Sequence, residues 1–560
     1  MNLGYEPQGL KIYLLWYHKD MKNKQRNKDL SSMSRDELEQ NIIELTTQVE
    51  SQKQKIQWLQ EQFNLLQQKR FGASSEKDMA DGDQMSLFNE VEWTVDEAEG
   101  EIPEPDMAKV APPKKKKTKG GKLRMVSGLP KETIDFRLSE EEQICPECGE
   151  NLTEVRKTIR RELIVIPAQV KAKEYIDAVY ACRNCQKNGT ENPMHTGRAP
   201  RPLLENSLAS ASFVSDIMKK KFVDGVPVYR QEADLKRKGI QLTRQTMSNW
   251  VIRCSEKYLQ GVYDILKEEL LRRDIIQADE TTVQVLSEPG KAATTDSFMW
   301  LYRSGEWDPE SQIILYEYQA NRRQEHPEDF LGDFKGYLQT DGYAGYNSVT
   351  KREKDPAISV GCWAHARRYF CDALKAIKKG NSNAPATDIR KAIAYADRIF
   401  AIERDSDMAK KPPQERMRIR KEKTLPILDE YFKWIRSFDP DHIIKGKFRD
   451  GIVYSQNQEE ALRAFLLDGR LSCSNNAAER SIKPFVISRK NFLFCKTPSG
   501  AKATATVFSL IETAKANDLD PFKYLVYIFE KLSQDEDYDL EQLMPWTESV
   551  VSACKAAACE

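Results

Sequence analysis

Ile275-Ile276-Gln277-Ala278-Asp279-Glu280 is a short apolar run that ends in acid, and Tyr337-Leu338-Gln339-Thr340-Asp341-Gly342-Tyr343 repeats the pattern further along. Apolar runs of this length closed by polar residues suit buried strands. A third acid, Glu479, stands in Ser474-Asn475-Asn476-Ala477-Ala478-Glu479-Arg480-Ser481-Ile482-Lys483-Pro484-Phe485, a stretch with the character of a capped helix start. Two carboxylates at strand ends and one on a helix can converge. Such an all-oxygen cluster suits two hard divalent cations acting on a phosphodiester. Taken alone, any one of the 86 Asp and Glu residues reads as a solvated surface charge, so the three peptides carry weight only through their company.

That company is extensive. From Ser474 to Leu525 the chain resembles the catalytic C-terminal part of the insertion sequence 66 family of bacterial DDE transposases. The resemblance extends to RFGASSEK at 70–77, the paired CxxC motifs, GVPVYRQE at 225–232, GCWAHARR at 361–368 and LMPW at 543–546, so it covers about residues 33 to 546. It implies that Asp279, Asp341 and Glu479 are the catalytic triad and hold two Mg²⁺ ions. It also implies an RNase H-like α/β core, with Asp279 on the first strand and Asp341 at the end of a fourth strand beside it. The implied activity is binding of the terminal repeats of an insertion sequence, then metal-dependent strand cleavage and transfer to a target duplex. Two positions depart from the family: Ser474 stands where it usually has Asp, and Ser488 where it usually has Gly. Two rival readings remain open: a catalytically inactive, zinc-dependent DNA-binding repressor of the element, and a nuclease without strand transfer.

Composition bounds the rest. A chain of 560 residues, 40% hydrophobic, is long enough for three or four folded units. The 86 basic and 86 acidic residues balance to zero, which argues against a uniformly basic DNA coat. The charges are nonetheless segregated, acidic over 76–106 and basic over 109–124. No apolar run approaches the roughly 18 residues of a membrane helix, and KIYLLWY near the start is too short for a convincing signal peptide. A cytoplasmic protein with no membrane partner is expected. The 11 cysteines are odd in number and four lie in CxxC pairs, which suits a reduced compartment and one metal site. There is neither a P-loop nor a GxGxxG, and nothing points to ATP-driven or hydride-transfer chemistry.

The expected architecture is multidomain α/β. Residues 1–32 read as a disordered segment or an upstream misreading of the start codon. Over 33–72, Leu38, Ile42, Leu45, Val49, Gln52, Ile56, Leu59, Phe63 and Leu66 alternate by four and three, the spacing of a coiled coil with a polar, register-setting Gln52. The alternative is a helix packed on its own domain; the preferred reading is a homo-oligomer. Residues 73–130 have linker composition, and the run KKKKTKGGK is either a tether or a non-specific phosphate grip.

Over 131–200, Cys145, Cys148, Cys182 and Cys185 offer four thiolates for one structural Zn²⁺, and an inserted hairpin accounts for the long interval between the pairs. The resemblance makes this the zinc-ribbon DNA-binding domain. Residues 201–265 read as helices in a helix-turn-helix-like domain, with a stop at Gly239 and a start at Thr243. Arg244, Gln245, Ser248 and Asn249 either reach a major groove or belong to a mere packing unit.

The catalytic domain is expected over 270–531 with a helical insertion at about 368–467, followed by a C-terminal tail at 532–560. The insertion holds a DNA end, holds a partner or is spacing. Cys362 and His365, with His365 on a strand end, read as part of a second zinc site, as a group orienting phosphate, or as a buried structural pair. Arg480, Lys483, Arg489 and Lys490, interleaved with Phe485, Phe492 and Phe494, suit a cradle for the DNA backbone. The family often has small companion proteins, so accessory proteins of the same element are possible partners.

Overall fold

The computed structural model describes residues 34–71, 170–176, 179–181, 194–196, 199–376, 384–404, 408 and 410–556. The N-terminal segment, the charged linker and the four CxxC cysteines lie outside the described residues. In chain order the elements used below are α1 (Arg35–Phe71), α2 (Ala211–Phe222), α3 (Val228–Arg237), α4 (Arg244–Cys254), α5 (Gln260–Leu271), β1 (Ile275–Gln284), β2 (Asp296–Ser304), β3 (Ile314–Gln319), β4 (Tyr337–Gln339), β5 (Ile358–Val360), α6 (Trp363–Ala376), α7 (Ala384–Glu403), α8 (Leu425–Ile435), α9 (Lys447–Asn457), α10 (Asn476–Phe492), α11 (Pro498–Ala516), α12 (Pro521–Gln534) and α13 (Glu548–Cys554). They fall into two compact units, one built from Met1–Glu101 with Gly361–Gly469 and the other from Ile102–Val360 with Arg470–Glu560.

In the first unit α1 is one continuous helix of 37 residues. Ile42, Leu45, Val49, Ile56, Leu59 and Phe63, all from the four-three stripe, are each more than half exposed. Helices α6 to α9 close an aromatic core. Trp363 is fully buried, packs edge-on against Tyr431 at 5.1 Å, and donates its indole N–H to Leu462 O at 2.8 Å. Arg420, wholly buried, bonds Glu403 through Nε at 2.9 Å and Nη2 at 2.7 Å, and Phe465 O through Nη1 at 2.8 Å. Every side of that guanidinium meets an acceptor, the condition under which a buried charge is tolerated.

The second unit is built on a five-stranded sheet in the order β3-β2-β1-β4-β5. β1 and β2 pair antiparallel from Ile276↔Ser304 to Gln284↔Asp296, and β2 and β3 pair antiparallel. β1 pairs parallel with β4, and β4 with β5. Three antiparallel neighbours, β1 to β3, are thus extended on the free side of β1 by two parallel strands, β4 and β5. The outer edge of β3 does not face water. Its Ile314 and Tyr316 N–H groups donate to Thr513 Oγ1 at 3.0 Å and Ser509 Oγ at 2.7 Å on α11, so a helix with small hydroxyl residues closes an edge that would otherwise offer unpaired backbone.

Two boundaries differ from expectation. The helices of 201–265 share one continuous core with the sheet and with α10 to α13, through residues such as Val214, Met218, Trp250, Leu259 and Leu266. Amphipathic helices of that length bury their apolar face wherever one is offered, and periodicity does not say where. Residues beyond 532 are not a tail up to 556: Leu543, Met544, Val550 and Cys554 are buried in that same core, and Asp520 N–H donates to Cys554 O at 2.8 Å. Within α2 to α4 the expected punctuation holds. Gly239 has φ +82°, which only glycine adopts without strain, and the Thr243 hydroxyl caps α4 by accepting from Thr246 N–H at 3.2 Å.

Of the expected zinc-ribbon strands, Val179–Ala181 pairs antiparallel with Met194–Thr196, downstream of the second CxxC, while residues 170–176 join no ladder among the described residues. No described helix is long and apolar enough to cross a membrane.

Candidate active site

The site forms where β1 and β4 run out. Ile275 to Ala278 are buried on both faces because β1 is the central strand, and burial relaxes at Asp279. β1 and β4 are in parallel register at Gln277↔Gln339. Two residues further along both chains come Asp279 and Asp341, on strands spaced about 4.8 Å apart. Below them the side chains of Gln277 and Gln339 bond to each other at 2.7 Å, and Gln339 Nε2 donates to Ser472 O at 2.7 Å. That second bond draws the segment ahead of α10 onto the sheet.

Asn475 completes the attachment. It occupies the N-cap position of α10 but makes no side-chain cap; its amide instead donates to Ala278 O at 2.8 Å, immediately before Asp279. Glu479 follows in the first helical turn, where the helix dipole favours a carboxylate. From β2, Arg303 Nη1 donates to Ala477 O at 3.2 Å and to Ser481 Oγ at 2.9 Å, on either side of Glu479. The Tyr316 hydroxyl on β3 donates to Ser481 O.

The carboxylates act on one another electrically. The Asp279 carboxyl is held well above the usual carboxylate range, first by burial, then by the negative charges of Glu280, Asp341 and Glu479; a bond from Glu280 N–H to Asp279 Oδ1 at 2.9 Å opposes the shift. Asp341 Oδ1 accepts from Tyr343 N–H at 2.9 Å, which orients it across the Gly342 turn. The donor set is entirely hard oxygen, and its members crowd a carboxylate whose charge nothing in the set neutralises. Both properties fit a divalent cation with a preference for oxygen ligands.

Sequence reading missed a supporting layer. Glu280 lies beside Asp279 and alternates to the other face of β1; its side chain is almost wholly buried. It accepts from Arg322 Nε at 2.9 Å and from the Tyr346 hydroxyl at 2.8 Å. Burial and then Asp341 raise its pKa, while Arg322 lowers it. The Arg322 guanidinium lies 3.7 Å from the Tyr343 ring centroid, and the Tyr343 hydroxyl donates to Arg322 O. Glu280, Arg322 and Tyr343 therefore brace the turn that carries Asp341. The ADE peptide displayed Glu280, but nothing in the sequence linked it to Arg322.

The other expected contact residues differ in exposure and partners. Arg244 and Gln245 are exposed at the start of α4, where Glu232 accepts from Arg244 N–H at 3.0 Å. Arg480 is 62% exposed and pairs with Glu306; Lys483 is half-buried and Lys490 exposed. Arg489 turns inward instead of outward: it donates to Thr282 Oγ1 at 3.0 Å and to Thr282 O, tying α10 to β1. His365 is in the first turn of α6, not on a strand end, with its Nε2 3.2 Å from Arg368 Nη1, and Cys362 is buried just ahead of that helix.

Comparison with known proteins gives a consistent set of matches. The sequence model described as "Transposase IS66 family" matches residues 206–503, and "IS66 C-terminal element" matches 509–546. "Zinc-finger binding domain of transposase IS66" matches 142–186, which contains all four CxxC cysteines, and "Transposase C of IS166 homeodomain" matches 58–134. Three relatives from Sinorhizobium fredii (strain NBRC 101917 / NGR234) are described as uncharacterized proteins. One, y4qI, is 31% identical over 360 residues, 62% of this chain and 64% of the relative. Another, y4jD, is 27% identical over 434 residues, 76% of this chain and 82% of the relative. The third, y4hP, is 27% identical over 414 residues, 72% of this chain and 73% of the relative. No solved structure matches the chain.

Proposed function

This chain belongs to the IS66 transposase family, and from that premise we propose that it binds the terminal repeats of its insertion sequence and cuts and joins DNA strands with Asp279, Asp341 and Glu479 as the metal-binding triad. The observation that carries the reading is the parallel register of β1 and β4, which run toward Asp279 and Asp341, together with the bond from Asn475 to Ala278 O that ties the start of the Glu479 helix to the same strand; the raised Asp279 carboxyl, on which Asp341 and Glu479 both act, agrees with it. The strand order, three antiparallel strands with two more added in parallel beside the first, supports an RNase H-like core. The three carboxylates would hold two Mg²⁺ ions, which when bound polarise the attacking oxygen and stabilise the leaving oxygen of an in-line displacement. Asp279 and Asp341 are oriented by backbone N–H bonds, and Asn475 and Arg303 hold the helix that presents Glu479. Cleavage by water would leave a 3′-hydroxyl to attack the target duplex, so no protein side chain becomes a covalent nucleophile.

The remaining parts follow from the same premise. Cys145, Cys148, Cys182 and Cys185 hold one structural Zn²⁺ in the zinc-finger region. Exposed Arg244 and Gln245 on α4 meet DNA, as do Arg480, Lys483 and Lys490 on α10. The exposed apolar stripe of α1 pairs with a second copy as a coiled coil, giving a homo-oligomer. The protein acts in the cytoplasm, with or without small accessory proteins of the element.

A plasmid mobility assay with the full element tests the proposal, comparing the parent with Asp279→Ala, Asp341→Ala and Glu479→Gln. Movement lost in all three while end binding persists supports the triad; a variant that still moves DNA removes its residue from the site. A parent that binds ends without moving them favours the repressor reading. Cut ends without joined products favour the nuclease.

A further inference from the structure

Where α10 ends, the backbone does something unusual for its sequence. Leu493 has φ +65° and ψ −49°, and Phe494 N–H donates to Phe492 O at 2.8 Å, which together define the rare, strained hand of γ-turn at a residue with a branched side chain. Only four non-glycine residues among those described have positive φ, the others being Asn206, Asp355 and Asp518, which tolerate it far better than leucine. Such strain persists where the surroundings over-determine it. Here Leu493 N–H donates to Arg489 O at 2.7 Å on one side, and on the other Cys495 N–H donates to Gln284 O at 2.9 Å and Leu286 N–H to Cys495 O at 3.0 Å. Phe492 is tucked edge-on against Phe485 at 6.3 Å, and Cys495 is buried.

Between these anchors the turn pushes two apolar side chains outward, Leu493 at 64% exposure and Phe494 at 43%. A turn held this firmly that presents leucine and phenylalanine to water is poorly explained by folding, since burying them would be favourable. The flanking charge indicates what covers them. Exposed Lys490 and Lys496 bracket the pair, and the N-terminus of the long helix α11 follows directly, so phosphate-binding groups stand on both sides of an apolar tip. An apolar point with a cationic rim suits a nucleic-acid duplex, in which phosphates flank stacked bases.

The geometry points to Leu493 and Phe494 as a wedge that enters between base pairs of bound duplex DNA and unstacks them. This rests on the DNA-binding reading above and extends it from phosphate contacts to deformation of the helix. Leu493 follows the last residue of the helix that carries Glu479, about 21 Å along it at ~1.5 Å rise per residue. With DNA lying along that helix, the unstacked step falls about six base steps, of roughly 3.4 Å each, from the cut.

The test is a binding titration of the full chain, without divalent ions, on terminal-repeat duplexes carrying a fluorescent adenine analogue at successive positions. Leu493→Gly, which suits the positive φ, and Phe494→Ala are run beside the parent. A several-fold rise in fluorescence at one position near the predicted step, lost in both variants while binding and its salt dependence persist, is the expected result. No rise with bound parent, a rise that both variants retain, or no binding of the duplex overturns the wedge. So does an unchanged fluorescence profile with altered oligomer mass in the variants, which would give the tip to a second copy of the chain. The two readings fail separately: a chain that unstacks DNA but never cuts it when Mg²⁺ is added keeps the wedge and loses the catalytic assignment, and one that cuts without unstacking does the reverse.

Discussion

Replacing Asp279 with asparagine should abolish DNA cleavage and at the same time stabilise the metal-free protein. Asparagine keeps the shape and still accepts from Glu280 N–H, so the change removes charge and little else. Asp341 is its neighbour across adjoining strands spaced about 4.8 Å apart, so the two carboxylates lie about 5–6 Å apart. At an effective dielectric of about 20, like charges at that separation repel by about 3 kcal/mol. Glu280 and Glu479 add to this, while partial proton uptake by the wild type relieves some of it. A net gain of about 1–3 kcal/mol, or a Tm rise of about 2–10 °C, follows.

The pH dependence has a definite sign. The folded Asp279 carboxyl is raised above its unfolded value, so the folded state holds the extra proton between the two values, and wild-type stability falls as pH rises through that window. The advantage of asparagine is therefore full above the folded pKa and vanishes as pH drops below the unfolded one. Thermal melts in EDTA at one pH below that window and one above it measure both; added Mg²⁺ should raise the wild-type Tm and leave the variant nearly unmoved. A variant that melts lower than wild type, or gains equally at both pH values, would refute the picture of a crowded, uncompensated carboxylate.

Other perturbations probe separate parts. Arg420→Met should destabilise the helical unit by about 3–5 kcal/mol by leaving Glu403 buried without its partner; urea unfolding measures this, and adding Glu403→Leu should recover much of the loss. Glu280→Gln should raise the Mg²⁺ concentration needed for half-maximal cleavage while the rate recovers at saturating metal, because Arg322 and Tyr343 then brace Asp341 less firmly; a metal titration of cleavage separates this from a general loss of fold. Leu493→Gly should raise stability by about 1 kcal/mol in thermal melts by releasing the positive-φ strain. Purified protein should carry about one zinc per chain by metal analysis, and Cys148→Ser should lose it.

Part of the candidate site was legible in the chain because strand-end acids advertise themselves. Apolar runs that end in Asp279 and Asp341 imply buried strands opening at one edge, and the parallel register, which runs to Gln277↔Gln339, carries both acids to the same end of the sheet. What holds Glu479 beside them was not legible. Asn475 stands at the N-cap position, where an asparagine side chain commonly caps, yet its amide bonds a strand carbonyl nearly two hundred residues earlier. Arg489 looked like a phosphate ligand because its neighbours are basic, and long-range contact with Thr282 decides otherwise.

Local pattern was enough for the helices and strands themselves, the stop at Gly239, the start at Thr243, the four-three stripe of α1 and the three candidate acids, since these depend on residues within a turn or two of one another. It took the folded chain to show that α2 to α5 share the core of the sheet, that Leu543 to Cys554 pack into it, that Glu280 and Arg322 brace Asp341, and that Leu493 is forced into a strained turn. Each depends on partners remote along the chain. Burial and hydrogen bonding select such partners by geometry, which no local pattern encodes.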